Sequence, residues 1–191
     1  MHFKGTARDL VRPPLRRWVC LIITVFLVSA SLLPGEGALQ REYEIKAAYL
    51  YNFISYINWP EQALPPAGGT ITIGVLGQNP FGAALAPLGG KRIKGRILAV
   101  KECASPADAA DCQIVFICPS EKLRVAEILQ GLKDAKVLSV SEIDGFAERG
   151  GMINFISEHN KVRFEINSEA ARRTGLTISS DLLKLAHLVK S

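Results

Sequence analysis

Histidine and cysteine are scarce in this chain: three and four among 191 residues. His2 stands near the start, and neither His159 nor His187 has a second His or a Cys nearby in sequence, so the ligand spacing of a metal site is missing. There is no Gly-x-Ser-x-Gly elbow, and acidic residues are scattered rather than paired. No residue is nominated as catalytic, and no metal or cofactor is expected. The dinucleotide fingerprint is absent too: Gly74, Gly77 and Gly82 follow a strand-like run at the wrong spacing and read as turn residues. A surplus of one charge is likewise lacking over most of the length. The net charge is +5, but Lys4, Arg8, Arg12, Arg16 and Arg17 stand against Asp9 alone in residues 1–18, and from residue 19 onward 18 basic residues face 17 acidic ones. A nearly neutral body without a basic stripe excludes long-range attraction to phosphates, and with it nucleic acid as a partner. The local cluster Lys91, Arg92, Lys94 and Arg96 reads as a solvated turn.

What is present begins with a leader. The basic start is followed by an apolar run from Trp18 to Leu33, then Pro34-Gly35 and small residues up to Ala38. These are the three parts of a secretory signal. A run of sixteen residues falls short of the ~20 that span a bilayer, and an uncleaved anchor is the alternative. The expected organisation is a signal peptide over 1–38 and one domain over 39–191, working in the periplasm. Three cysteines follow the leader, in a compartment that favours disulfides. Cys112 and Cys118 sit six residues apart on one expected strand, ~20 Å apart when extended, whereas a disulfide tolerates about 7 Å between Cα atoms. Cys103 with Cys112 is the feasible pair, and Cys118 reads as a small buried hydrophobe.

Residues 40–58, free of Gly and Pro, predict a helix that Pro60 stops. The run 70–76 predicts a buried strand, Asn79-Pro80 the start of a short helix, and residues 96–102 a second strand. The run 113–118 lacks alternation and predicts a strand buried on both faces. Ser120 is expected to cap a helix from Glu121 to about Lys133, ahead of a strand over 136–140. Two strands around a tight turn at 158–161 predict a hairpin. Ser168 is the candidate cap of a short helix to Arg173, and a final helix is expected over Asp181–Val189. The fold class is α/β: a mostly parallel, mixed sheet with helices on both faces and a C-terminal hairpin.

The most informative excess is apolar and aromatic. Tyr49, Phe53 and Tyr56 follow one helical face, Leu50, Ile54 and Ile57 form a second stripe, and Trp59 stands at the exit. One packed face needs one stripe. The helix is therefore either buried on both sides or offers a stripe to a partner. Tyr49, Phe53, Tyr56 and Trp59 are the candidates for a partner interface, because Tyr and Trp suit half-wet contacts. Arg163 reads as an exposed strand cation or a clamp for an anionic ligand. Asn167 reads as the end of a strand and start of a helix, or as a second ligand contact.

The segments "IKAAYLYNFISYINWP" (45–60), "ITIGVLGQNPFG" (71–82), "DCQIVFICPSE" (111–121), "GGMINFISEHNKVRFEIN" (150–167) and "ISSDLLKLA" (178–186), taken in order, resemble the YfiR family. The resemblance implies a small periplasmic α/β protein that represses a membrane-bound diguanylate cyclase of the YfiN type by binding its outer domain. A YfiB-like outer-membrane lipoprotein would sequester the repressor, and cyclic di-GMP and biofilm formation would then rise. The resemblance also ties redox sensitivity to disulfides. Cys112 matches the family cysteine before the third strand, while residues 141–155 hold no cysteine for the second bond of some relatives. The expected function is thus a non-enzymatic periplasmic regulator, with self-association into a homodimer left open. A periplasmic small-molecule sensor is the alternative and a hydrolase the third reading.

Overall fold

A computed structural model describes residues 36–190; apart from its last three residues, the proposed leader lies outside them. The first helix, α1 (Glu36–Tyr56), is followed by β1 (Ile57–Asn58), β2 (Thr70–Leu76), β3 (Arg92–Ile93) and β4 (Arg96–Cys103). Then come α2 (Pro106–Ala109), β5 (Ile114–Ile117), α3 (Val125–Gly131), β6 (Leu138–Ser141), β7 (Ile153–Glu158) and β8 (Lys161–Ile166). The chain ends in α4 (Ser168–Arg173), β9 (Thr177–Ile178), α5 (Ser180–Leu183) and β10 (His187–Leu188).

Eight strands form one sheet in the order β10-β8-β7-β6-β5-β2-β4-β3. The run from β4 through β7 is parallel; β3–β4 and β7–β8 are antiparallel. β1 and β9 make a separate two-stranded pair. The mixed α/β sheet with helices on both faces is therefore present. Period-two alternation explains how one strand serves both layers. In β5, Ile114 and Phe116 enter the core beneath α1, while Val115 and Ile117 enter the second core beneath α2 and α3. Both faces are covered, so the strand shows no polar alternation. The two hairpin turns are set by positive φ: Lys94 and Gly95 between β3 and β4, His159 and Asn160 between β7 and β8. Two-residue loops of this hand match the strand twist.

Several local expectations give way. The helix predicted from Glu121 begins as a 3₁₀ segment, Pro119–Arg124, and becomes α only at Val125. The Ser120 hydroxyl is engaged elsewhere, accepting from the Gln78 amide at 2.9 Å. Asn79 forms a tight turn onto the Phe81 amide, and the residues after it make 3₁₀ turns over Gly82–Leu88. Asn167, not Ser168, caps α4. The expected final helix stops at Leu183, and His187–Leu188 instead pair in parallel with Glu165–Ile166. An unpaired edge on β8 offers backbone hydrogen bonds that outweigh a weak helical preference at the terminus.

Candidate functional site

Helix α1 places most of the residues in question. Its buried stripe is Ala47, Leu50, Phe53, Ile54 and, just past its end, Ile57. Phe53 is wholly enclosed, stacked on Phe155 at 5.9 Å and edge-on to Phe164 at 5.5 Å. Trp59 is 8% exposed, with its indole Nε1 buried and without a hydrogen-bond partner among the described residues. These two are core residues, a correction to the expected interface: the aliphatic stripe and, from the aromatic one, Phe53 turn toward the sheet. Tyr49 is half-buried, its ring 5.3 Å from Phe164 and 6.0 Å from Phe53. Tyr56 is exposed. Of the four aromatics only Tyr49 and Tyr56 reach solvent.

The N-terminal half of α1 presents apolar surface that the aromatic pattern had not singled out. Leu39 is 55% and Ile45 is 42% exposed. Arg41, Ile45 and Tyr49 recur four residues apart, the signal that would have revealed Ile45: extending the Tyr49–Phe53 stripe one turn back reaches it. Between this helix face and the β7–β8 hairpin runs a groove of about 680 Å³, lined by Leu39, Ile45, Tyr49 and Val162 with Arg41, Glu42, Lys161 and Arg163. Arg163 thus belongs to a concave surface. Asn167 does not: it is fully buried, accepts from the Ala170 amide at 2.9 Å and donates to the Ala147 carbonyl at 2.8 Å. Its side chain is occupied by the fold, which excludes it as a ligand contact.

Behind the groove α1 is pinned by charge. Lys46 is 4% exposed and pairs with Glu42, one turn back at 2.5 Å, and with Glu142 in the loop after β6. Tyr43 donates to Glu142 at 2.9 Å and lies edge-on to Phe81 at 5.3 Å, with the Lys46 ammonium 4.6 Å from its ring centre. Burial, then the hydrogen bond to Glu142, lifts the Tyr43 phenol well above its usual range. The two carboxylates satisfy a buried ammonium that would otherwise be very costly. Glu42 is thereby ion-paired, and with Arg41, Lys161 and Arg163 against this one carboxylate the groove keeps a net positive lining.

On the opposite face of the sheet, Cys103 and Cys112 converge over Gly74. A Cβ at Gly74 would lie 2.9 Å from one sulfur and 2.8 Å from the other. All three described cysteines are free thiols. Burial, then the neighbouring Cys103, pushes the Cys112 thiol up to about 12, and burial followed by Glu142 pushes Cys118 up to about 12. Cys118 is wholly inside, packed in the core beneath α1. Of the histidines, His159 occupies the hairpin tip, and His187 lies on β10, 3.4 Å from Glu158, rather than on a helix.

Residues 43–187 match the family described as YfiR/HmsC-like. The chain belongs to that family. YfiR/HmsC-like proteins are periplasmic regulators associated with membrane signalling proteins and cyclic di-GMP. Among the described residues of this member, no helix is long and apolar enough to cross a membrane. The fold is shared more widely. A conserved domain protein from Vibrio cholerae O1 biovar eltor superposes with TM-score 0.51 at 13% identity, over 78% of this chain and 60% of that one. The ABC domain from Streptococcus pneumonia, solved in complex with L-Trp, superposes with TM-score 0.51 at 11% identity over the same shares. The YfiR/HmsC-like chain thus spans about three fifths of each of these structures, and at such identities the likeness concerns the fold.

Proposed function

We propose that this YfiR/HmsC-like chain is a periplasmic regulator, exported by its 1–38 leader, that represses an inner-membrane diguanylate cyclase of the YfiN type by binding its outer domain. The observation that carries the reading is the apolar surface of exposed Leu39 and Ile45 beside half-buried Tyr49, on a helix whose other side is already fully packed. Apolar surface left over after the core is filled, beside a concave wall, is what a protein partner covers. Repression then follows from mass action: a regulator that binds the inactive arrangement more tightly shifts the cyclase toward it by its differential affinity. A YfiB-like lipoprotein competing for the regulator reverses the shift.

The experiment is Ile45→Glu in cells that carry the cyclase. Ile45 is exposed, so the variant should accumulate folded, bind about 10-fold more weakly, and let cyclic di-GMP rise toward the level of a deletion strain. Undiminished repression by folded Ile45→Glu would remove the strip as the contact surface. Unchanged cyclic di-GMP on deleting the whole gene would remove the reading itself.

A further inference from the structure

The groove beside the strip carries a charge pattern that narrows what can enter it. Arg41 comes from α1, and Lys161 and Arg163 from β8, two elements far apart in sequence that the fold brings to one wall. None of the three cations has an ion pair or side-chain hydrogen bond with any described residue. The carboxylate of Glu42, which also lines the groove, is held by buried Lys46. Elsewhere on the surface Arg124, Arg172 and Lys184 each hold an acid within a turn of their own helix. Here three positive side chains line the same groove as exposed Leu39 and Ile45 without an ion pair among the described residues. Like charges held together cost free energy that an acidic occupant recovers. A volume of about 680 Å³ is a slot rather than a plane, so a protruding segment fits it better than a flat membrane surface.

We infer that this groove takes an acidic, apolar segment of the partner protein, its carboxylates on Arg41, Lys161 and Arg163 and its apolar side chains on Leu39 and Ile45. The inference rests on the reading of the chain as a regulator of a cyclase and specifies the chemistry of the contact. Charge supplies the on-rate and the orientation, and the apolar contacts hold the complex.

The test measures binding of the full exported chain to the purified outer domain of the YfiN-type cyclase from the same organism. Wild type is compared with Arg41→Glu/Arg163→Glu, with Arg41→Lys/Arg163→Lys and with Lys161→Glu. Equal thermal melts establish folding, and these residues are all exposed. The glutamate pair should weaken binding more than 10-fold and flatten its dependence on NaCl between about 50 and about 300 mM, while the lysine pair stays within about threefold of wild type. Lys161→Glu should move in the same direction as the glutamate pair. Unchanged affinity and salt dependence in the glutamate variants, beside firm wild-type binding, would overturn the groove and leave the regulator reading standing. The same holds if they lose only binding to phosphatidylglycerol-containing vesicles. Failure of the wild-type chain to bind the cyclase domain would take both down together.

Discussion

Asn167 shows how much one side chain can settle. Its carboxamide caps α4 and also holds the Ala147 carbonyl across the chain, with no solvent contact. Asn167→Ala should cost about 2–3 kcal/mol in urea unfolding, one helix cap plus one buried orphaned carbonyl; a loss below about 0.5 kcal/mol would contradict the account. Glu142 is a second such residue. Removing it leaves buried Lys46 with Glu42 alone and Tyr43 without its acceptor. Glu142→Ala should cost about 3 kcal/mol, and Lys46→Met in the same chain should restore a large part of it, because the buried ammonium that lost one of its two partners goes too. The buried thiols add a pH dependence. Cys112 and Cys118 are raised from 9.0 to about 12, so folding favours their protonated forms. Their contribution is fully present below pH 9 and is lost as pH rises toward 12, by at most about 1.4 kcal/mol per pH unit per thiol. In protein kept reduced, urea midpoints from pH 8 to 11 should therefore fall with rising pH, and less steeply in Cys118→Ala.

At the scale of elements, strands were more legible than helices. The run at 70–76 forms β2 over those residues, and the unalternating run near 113–118 is buried on both faces as β5. Apolar continuity bounded by Gly or Pro is a local signal, and a parallel sheet leaves it little freedom. The misread elements are those decided by distant partners. Leu182, Leu185 and Leu188 suggest a helical surface, yet β8 needed a neighbour and took His187–Leu188 as a strand. The two stripes of α1 were visible, but which residues were buried depended on Phe155 and Phe164, a hundred positions away. Phe53 could therefore be read as core or as partner surface and sits at the centre of the core, while Arg163 could be read as a strand cation but not as lining one groove with Arg41. A related expectation concerns Gly151, where a Cβ would lie 2.1 Å from the Phe146 ring. Gly151→Ala should destabilise by about 2 kcal/mol or more, measured by thermal unfolding, because the ring has to leave its packed position.

For the whole molecule, the core beneath α1 and the core beneath α2 and α3 share one sheet and do different work. The first carries the helix whose outer strip is proposed to meet a partner. The second holds the Cys103–Cys112 thiols, which we propose pair as a disulfide once the chain reaches an oxidising compartment. Closing the loop of eight residues between them should add ~2.5 kcal/mol. Protein purified without reductant should be 2 Da lighter than the reduced chain, with a cross-linked peptide joining residues 103 and 112. Alkylation of both sulfurs in such material would show that they stay reduced.

Gly74 has a corollary for lineage. Two sulfur atoms fill the place where its side chain would stand, so the central strand and the two cysteines form one indivisible steric unit. A methyl group at this point of the strand forces at least one of the two sulfurs to shift. The substitution history should therefore show cysteine loss on the branch before any departure from glycine.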